Sequence, residues 1–376
     1  MKKTICLLYI ICMLCQLGCT SIYTSYRRVG QLHIIQTMGI DQYDSGVELS
    51  IASGKSGNVS ATSMSRRGES ISAAIRAMQS FSVSEDLFYS HIQYAVLGQD
   101  TAERGIGRTL DFVERAGQIR MDIGLFVIRD GRAKEFFEKA AGSADTTEIL
   151  TSLERSARRS GESYVFSAQD IARSLLERNC AMACAIELQP TEGSVFTDTG
   201  ELTAVPAGYA LFNGENLSGF IEGENARAVA LLLDKGGIGE VTVDMGRQVS
   251  LDVRGSKCRY TPHWEGGRIK SMDIDIALSC AIGELDKPLP NLTEADYDAI
   301  EAALEEKIRT WVLAVLETQR RHECDYLGLM SRVRQHSPEE FSAAEEQWPQ
   351  ALRDTEYNIS VESAIKRDYD LHAPER

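Results

Sequence analysis

Residues 269–323 carry the pattern that most restricts the fold. From 269 to 282 apolar and polar residues alternate, with Ile274, Ile276 and Leu278 set against Asp273, Asp275 and Ser279. Such alternation is a strand with one face buried and one face wet. After Thr293 the spacing lengthens to three and four. Ile300, Leu304, Ile308, Trp311, Val312 and Val315 then fall on one side of a helix. Thr293 is a capping residue, and Glu294, Asp296 and Asp298 lie where the positive end of the helix dipole favours acid. The helix is expected to run to about Glu323, with Glu305 and Arg309 as an i,i+4 pair on its outer side. Residues 240–245 and 248–253 are two more strand-like runs ahead of it. The C-terminal half therefore reads as antiparallel strands with one long helix.

The first half is mixed. Residues 32–40 and 47–52 read as strands joined by Asp44-Ser45-Gly46, and the polar stretch 53–68 reads as a loop. Ser70 is placed to cap a helix through Ile71, Ala74, Ile75 and Met78. Residues 88–97 and 120–129 read as strands. A helix from about Asp100 to Arg115 separates them, and a short helix with Phe136 and Phe137 follows. Residues 145–180 read as mostly helical, and 181–188 and 193–196 as extended. Pro190 and the polar run 197–201 mark a boundary near residue 200. Beyond it, 207–212 and 217–221 read as strands around a turn at 213–216. Residues 226–233 read as a helix stopped by Gly236-Gly237, and 359–365 as a final strand. The expected fold class is α+β: two mixed-sheet domains with a helical middle segment, and a long helix in the C-terminal domain. The expected units are residues 1–18, residues 19–200 and residues 201–376. The helical segment at about 140–190 lies within the second of these or stands as a unit of its own.

Residues 1–18 are set apart by composition. Lys2 and Lys3 precede the run 5–17, whose one polar residue is Gln16. At ~1.5 Å per residue this run is roughly 20 Å long, short of the ~30 Å core of a bilayer. It reads as a signal peptide. Leu17-Gly18-Cys19 resembles the bacterial lipobox, with Gln16 where Leu is usual. Cys19 is then the lipidation site and the first residue of the mature chain, carrying acyl chains of the palmitate kind. The plainer alternatives are an ordinary cleaved signal or an uncleaved anchor. The whole chain has a net charge of −15, and it is more acidic still once Lys2 and Lys3 leave. Nucleic acid is a poor partner for such a surface, because its phosphates need Lys and Arg to displace counterions. A polybasic membrane patch is disfavoured for the same reason. Past Cys19 the cysteines are Cys180, Cys184, Cys258, Cys280 and Cys324, an odd set with no CxxC pair, from which no disulfide framework follows.

No catalytic or metal constellation emerges. The histidines are His33, His91, His263, His322, His336 and His372, none at HxH or HxxxH spacing. His322-Glu323-Cys324-Asp325 gathers ligand types, but neighbours in a helix point apart, and a solvated helix end is the better account. His91 is expected to share a strand face with Tyr89 and Gln93. Gly105-Ile106-Gly107 and the glycines at 236, 237 and 239 lack the strand-to-helix setting of a dinucleotide loop. A GxSxG nucleophile elbow is absent. The Arg-rich run 155–159, with Arg132, Arg173 and Arg178, reads as a solvated face or as a contact for an acidic partner or lipid headgroups. Phe81, Phe88, Tyr89 and Tyr94 read as core and sheet face. The chain is expected not to be an enzyme, and to hold no metal and no cofactor.

Several stretches together resemble the Ger(x)C family of spore germination proteins. One is Thr37-Met38-Gly39-Ile40-Asp41, and another is Arg67-Gly68-Glu69-Ser70-Ile71 leading to Ala74-Ile75-Arg76. The most extended is the run 88–106 with Asp111-Phe112, Arg115 and the segment 118–123. The second half adds the run 207–212, Leu217-Ser218-Gly219, the long helix, Asp325-Tyr326-Leu327-Gly328-Leu329 and Trp348-Pro349. The resemblance spans nearly all of the chain after Cys19. Thr20-Ser21 departs from the Trp-Asp-like pair often found after the lipidated cysteine, and residues 21–28 and 41–46 are atypical. The resemblance implies a lipoprotein on the outer face of the spore inner membrane. It implies action with an integral-membrane, transporter-like subunit and with a larger subunit that has soluble and membrane parts, in a nutrient germinant receptor. No catalytic residues are implied. The alternative, from a different class, is a solute-binding lipoprotein that delivers a small molecule to a membrane transporter. Such proteins usually have two doubly wound lobes.

Overall fold

A computed structural model describes residues 32–54, 62–82, 86–140, 145–190, 202–285, 292–344 and 348–366. The expected signal peptide, Cys19 and the extended run 193–196 lie outside the described residues.

The chain starts with the expected hairpin. β1 (Leu32–Tyr43) and β2 (Gly46–Ser53) pair antiparallel, with Asp44 at φ 43° in the turn. The stretch read as a loop contains a strand, β3 (Thr62–Gly68), antiparallel to β2. It is an edge strand rich in Ser and Arg, so it shows no apolar alternation, and its charges protect the edge. Ser70 caps α1 (Ile71–Phe81), accepting from Ala73 N at 3.2 Å.

The run 88–97 is two strands, not one. β4 (Asp86–Phe88) pairs with the start of β1, and β5 (Tyr94–Leu97) pairs with Thr37–Ile40. The break faces the register shift in β1 between Ile35 and Thr37. The expected single helix after it is likewise two, α2 (Gln99–Arg104) and α3 (Gly107–Arg115). Gly105, at φ 114°, breaks the run, and Ile106 N turns to Glu215 O at 2.9 Å. β6 (Gly124–Ile128) and α4 (Ala133–Ala140) follow.

The helical middle consists of α5 (Thr146–Ser160) and α6 (Ala168–Arg178). It is the crossover between the parallel strands β6 and β7 (Cys180–Pro190), and its two helices cover opposite faces of the same sheet. The division expected near residue 200 does not separate the sheets. β8 (Leu202–Asn213) pairs antiparallel with β7, with Pro190 opposite Leu202, and β9 (Asn216–Ile221) adds the last strand.

Among the described residues the first sheet has nine strands in the order β3-β2-β1-β5-β6-β7-β8-β9, with β4 beside β1. Its central strands are buried on both faces, as parallel strands flanked by helices are. Ala95, Leu97, Leu125 and Val127 face α1, α3 and α6. Val96, Phe126, Ile128 and Ile186 face α4 and α5.

The second sheet begins after α7 (Gly223–Leu232). It orders β10 (Gly239–Asp244), β11 (Gln248–Glu265), β12 (Arg268–Leu285) and β13 (Glu356–Ile365), the last parallel to β12. α8 (Glu294–His322) lies across it, buried through Ile300, Leu304, Ile308, Val312 and Val315. Thr293 and Asp296 form a reciprocal capping box at its start. The expected Glu305–Arg309 pair does not form. Glu305 instead accepts from Ser363 N at 2.8 Å, and Glu301 from Ile365 N at 2.8 Å, so the helix satisfies the free edge of β13. Arg309 turns to Glu306. The core under α8 is continuous with Cys180, Met182, Tyr209 and Leu211 of the first sheet.

Candidate functional site

The chain turns sharply where α8 ends. Glu323, at φ 54°, closes the helix, and Cys324, Asp325, Tyr326 and Leu327 drop into the core before α9 (Leu329–His336) begins. Of the expected solvated helix end, Cys324 and Asp325 are therefore buried, His322 is half-buried and Glu323 is exposed. Asp325 is 3% exposed, and its two carboxylate oxygens accept from Leu329 N and Met330 N, each at 2.7 Å. It caps α9 from three residues ahead of the N-cap, where Gly328 has no side chain to do so.

The same segment is tied to α8 and to the first sheet. Gln319 of α8 accepts from Leu327 N at 3.1 Å. The Tyr326 hydroxyl lies 3.0 Å from Ser218 Oγ in β9 and 2.9 Å from His322 Nδ1. Asn213, at the end of β8, donates to His322 O at 3.4 Å. The Cys180 thiol of β7 contacts that of Cys324. Gly328 sits at φ 69°, and a Cβ there would lie 3.0 Å from Arg178 Nη1 at the end of α6.

Burial raises the Asp325 carboxyl above its ordinary value. The Met330 N–H, the Arg178 charge and the Leu329 N–H pull the other way. The Trp348 indole of α11 (Trp348–Asp354) lies beside the same carboxylate, beyond the short α10 (Pro338–Ala344). Burial pushes the neighbouring Tyr357 hydroxyl up to about 12. The arrangement is a polar joint packed between the two sheets. Its carboxylate holds backbone groups and offers no open face to a substrate.

Two family models match the chain. The model for the spore germination protein N-terminal domain matches residues 25–188, and the model for the spore germination B3/GerAC-like C-terminal region matches residues 207–369. The chain belongs to the Ger(x)C family of spore germination proteins. Its role is in spore germination. The solved "Crystal Structure of the GerBC protein" has the same fold, with TM-score 0.56 and 15% identity over 88% of this chain and 97% of that one. No curated protein matches the sequence.

In this Ger(x)C chain the motifs of the sequence resemblance are largely packing devices. Asp41 caps α4, accepting from Ala133 N at 2.8 Å and Lys134 N at 2.7 Å. Opposite it on β2, Glu48 is held by Arg67, Arg132 and Lys134 at 2.9 to 3.2 Å. Burial raises the Asp41 carboxyl, while the Lys134 and Arg67 contacts leave Glu48 below its ordinary value against the opposing effect of burial. Gly98 leaves room for Asp41, since a Cβ would lie 2.2 Å from Asp41 Oδ1. Thr101 donates to Ile40 O at 3.1 Å and accepts from Gln42 N at 2.8 Å.

The other sequence candidates disperse. His91 lies exposed in the turn between β4 and β5, its ring 5.7 Å from Phe88, while Tyr89 is buried; they do not share a strand face. Phe81 is exposed under Arg66 and is not core. Arg132 pairs with Glu48, and Arg158 lies 5.9 Å from the Tyr164 ring. Cys19 is outside the described residues. Among the described residues no group of three metal-ligand side chains converges, and no helix is long and apolar enough to cross a membrane.

Sequence reasoning missed two features. The cap by Asp325 has a signal, an Asp followed by Gly328 and by apolar Leu329, Met330 and Val333. The contact of His263 Nε2 with Asp273 Oδ2 at 2.6 Å joins two strands and has none.

Proposed function

We propose that the chain is the lipid-anchored subunit of a spore nutrient germinant receptor. It is tethered through Cys19 to the outer face of the spore inner membrane and works by assembly with integral-membrane receptor subunits. Family membership over both halves of the chain is the observation that carries this reading. The Leu17-Gly18-Cys19 sequence after a short apolar run supports the anchor. Two or more acyl chains hold a protein at a bilayer stably, where one gives only marginal binding. From Cys19 to Leu32 the chain reaches roughly 45 Å at most, at ~3.5 Å per residue. The tether therefore confines the folded body near the surface and raises its effective concentration for a membrane partner. The buried joint supports a rigid body that docks as one piece, since Gln319, Asp325 and Tyr326 tie α8, α9 and β9 together.

Mass spectrometry of the N-terminal peptide tests the anchor. The mature chain should begin at Cys19 and carry a diacylglyceryl group. A chain that retains residues 1–18, or that begins elsewhere without lipid, contradicts the proposal.

A further inference from the structure

A cleft of about 640 Å³ opens beside the joint, between α6 on one side and the end of α7 with α9 on the other; Tyr326 and Gly328 form part of its wall. Its charge is opposite to that of the chain. Arg173, Arg178, Lys235 and Arg332 line it against two carboxylates, Asp170 and Glu177, in a protein whose net charge is −15.

Those two carboxylates offset only two of the four positive charges. Asp170 is occupied by the capping box of α6, accepting from Ser167 N at 3.2 Å and Ser167 Oγ at 2.7 Å. Glu177 lies 3.8 Å from Arg178 Nη1. Arg178 also donates to Ser174 Oγ at 2.7 Å. Arg173, Lys235 and Arg332 remain, and among the described residues none of them has a carboxylate within ion-pair distance. Lys235 Nζ lies 4.4 Å over the Tyr164 ring, and the Arg332 guanidinium 4.7 Å over the Tyr260 ring. Arg332 also donates to Leu232 O at 3.2 Å. These contacts hold the two cations in place on the cleft wall and leave their charge uncancelled.

Uncompensated cations around one concavity repel each other and focus a positive potential into it. The wall is mainly polar, and Phe166, Met182 and Leu233 give it a smaller apolar patch beside the cations. We propose that this cleft binds a small organic anion. Lys235 and Arg332 hold its charged oxygens, and Phe166, Met182 and Leu233 cover its apolar body. A bound anion touches Met182 of β7 in the first sheet, Leu233 and Lys235 just after α7, and Arg332 of α9, so it stabilises their packing at the joint. The proposal concerns the chain alone and stands apart from the receptor reading.

Calorimetric titration of the purified full chain with benzoate, inorganic phosphate and uncharged benzamide tests it. Benzoate should bind, with an affinity that weakens as salt is raised, and benzamide should not. Lys235→Gln should raise the benzoate Kd by about tenfold or more. Lys235 is exposed, so this variant should keep the parent melting temperature. Arg332→Gln should weaken binding too, but it also loses the bond to Leu232, so Lys235→Gln is the decisive variant. No binding of either anion overturns the proposal. So does binding of benzamide equal to that of benzoate, or benzoate binding unchanged in Lys235→Gln. A melting shift with phosphatidylglycerol vesicles but with neither free anion would assign the charge to a membrane surface and overturn the small-anion site.

Discussion

Asp325→Ala removes the one side chain that caps α9 from inside the core. Leu329 N and Met330 N each lose an acceptor at 2.7 Å, and Leu329 is fully buried. A buried donor left unpaired costs about 1–3 kcal/mol, and the loss of a helix cap is of similar size and overlaps with it. Relief from burying the carboxylate acts in the other direction, because burial already raises its pKa. The net loss should be about 2–4 kcal/mol. Urea unfolding of the full chain, followed by tryptophan fluorescence, reads it well: Trp264, Trp311 and Trp348 all lie in the C-terminal half, and Trp348 is beside Asp325. A loss below about 0.5 kcal/mol, the range of an ordinary surface substitution, would refute the capping argument. The pH dependence has a definite sign. The folded protein keeps the Asp325 proton where the unfolded chain, near the ordinary value of 3.8, has lost it. This group therefore favours folding fully below about pH 3.8, and that advantage disappears as pH rises through the folded value. Relative to Asp325→Asn, which does not titrate, the parent protein should lose stability on that upward path. A gain would contradict the assignment.

Gly328→Ala forces a side chain into the left-handed region and against Arg178, and should cost about 1–2 kcal/mol or more in the same urea assay; an unchanged midpoint contradicts the close approach. Gly98→Ala places a methyl group on the Asp41 carboxylate that caps α4, an overpacking change worth about 1–3 kcal/mol by thermal unfolding. All five described cysteines are buried, and burial pushes Cys184 up to about 12 and Cys258 and Cys280 up to about 11. The native protein should therefore resist iodoacetamide at Cys184, Cys258 and Cys280 at neutral pH and react fully in denaturant. Rapid native labelling at any of them would show that the core is open there.

Local signals in the sequence carried well into the structure. The Thr293 cap, the apolar stripe from Ile300 to Val315 and the stop at Glu323 all lie within one helix, so α8 was legible to within a residue. The β1–β2 hairpin was legible for the same reason. Features set by distant partners were not. β3 is a strand because β2 lies beside it, and its polar residues give no sign of that. The break between α2 and α3 is tied to Glu215, more than a hundred residues away. β7 and β8 pair across the polar stretch that reads as a linker. Motifs were legible as motifs before their purpose was. Asp325 looked like a ligand type at a wet helix end, and it is a cap in the core, because Cys180, Arg178 and Tyr357 come to it from elements that no local spacing connects. Asp41 and Gly98 form one device, visible only once β1 and α4 are in contact.

The central claim is a membrane-tethered receptor subunit in spore germination. Its most direct test is nutrient-triggered germination of spores lacking this chain, complemented with the parent gene or with Cys19→Ala. The account predicts loss of the response to at least one nutrient, restored by the parent protein and not by Cys19→Ala. A normal response of the deleted spores to every nutrient tested, with no paralogue present, would contradict it.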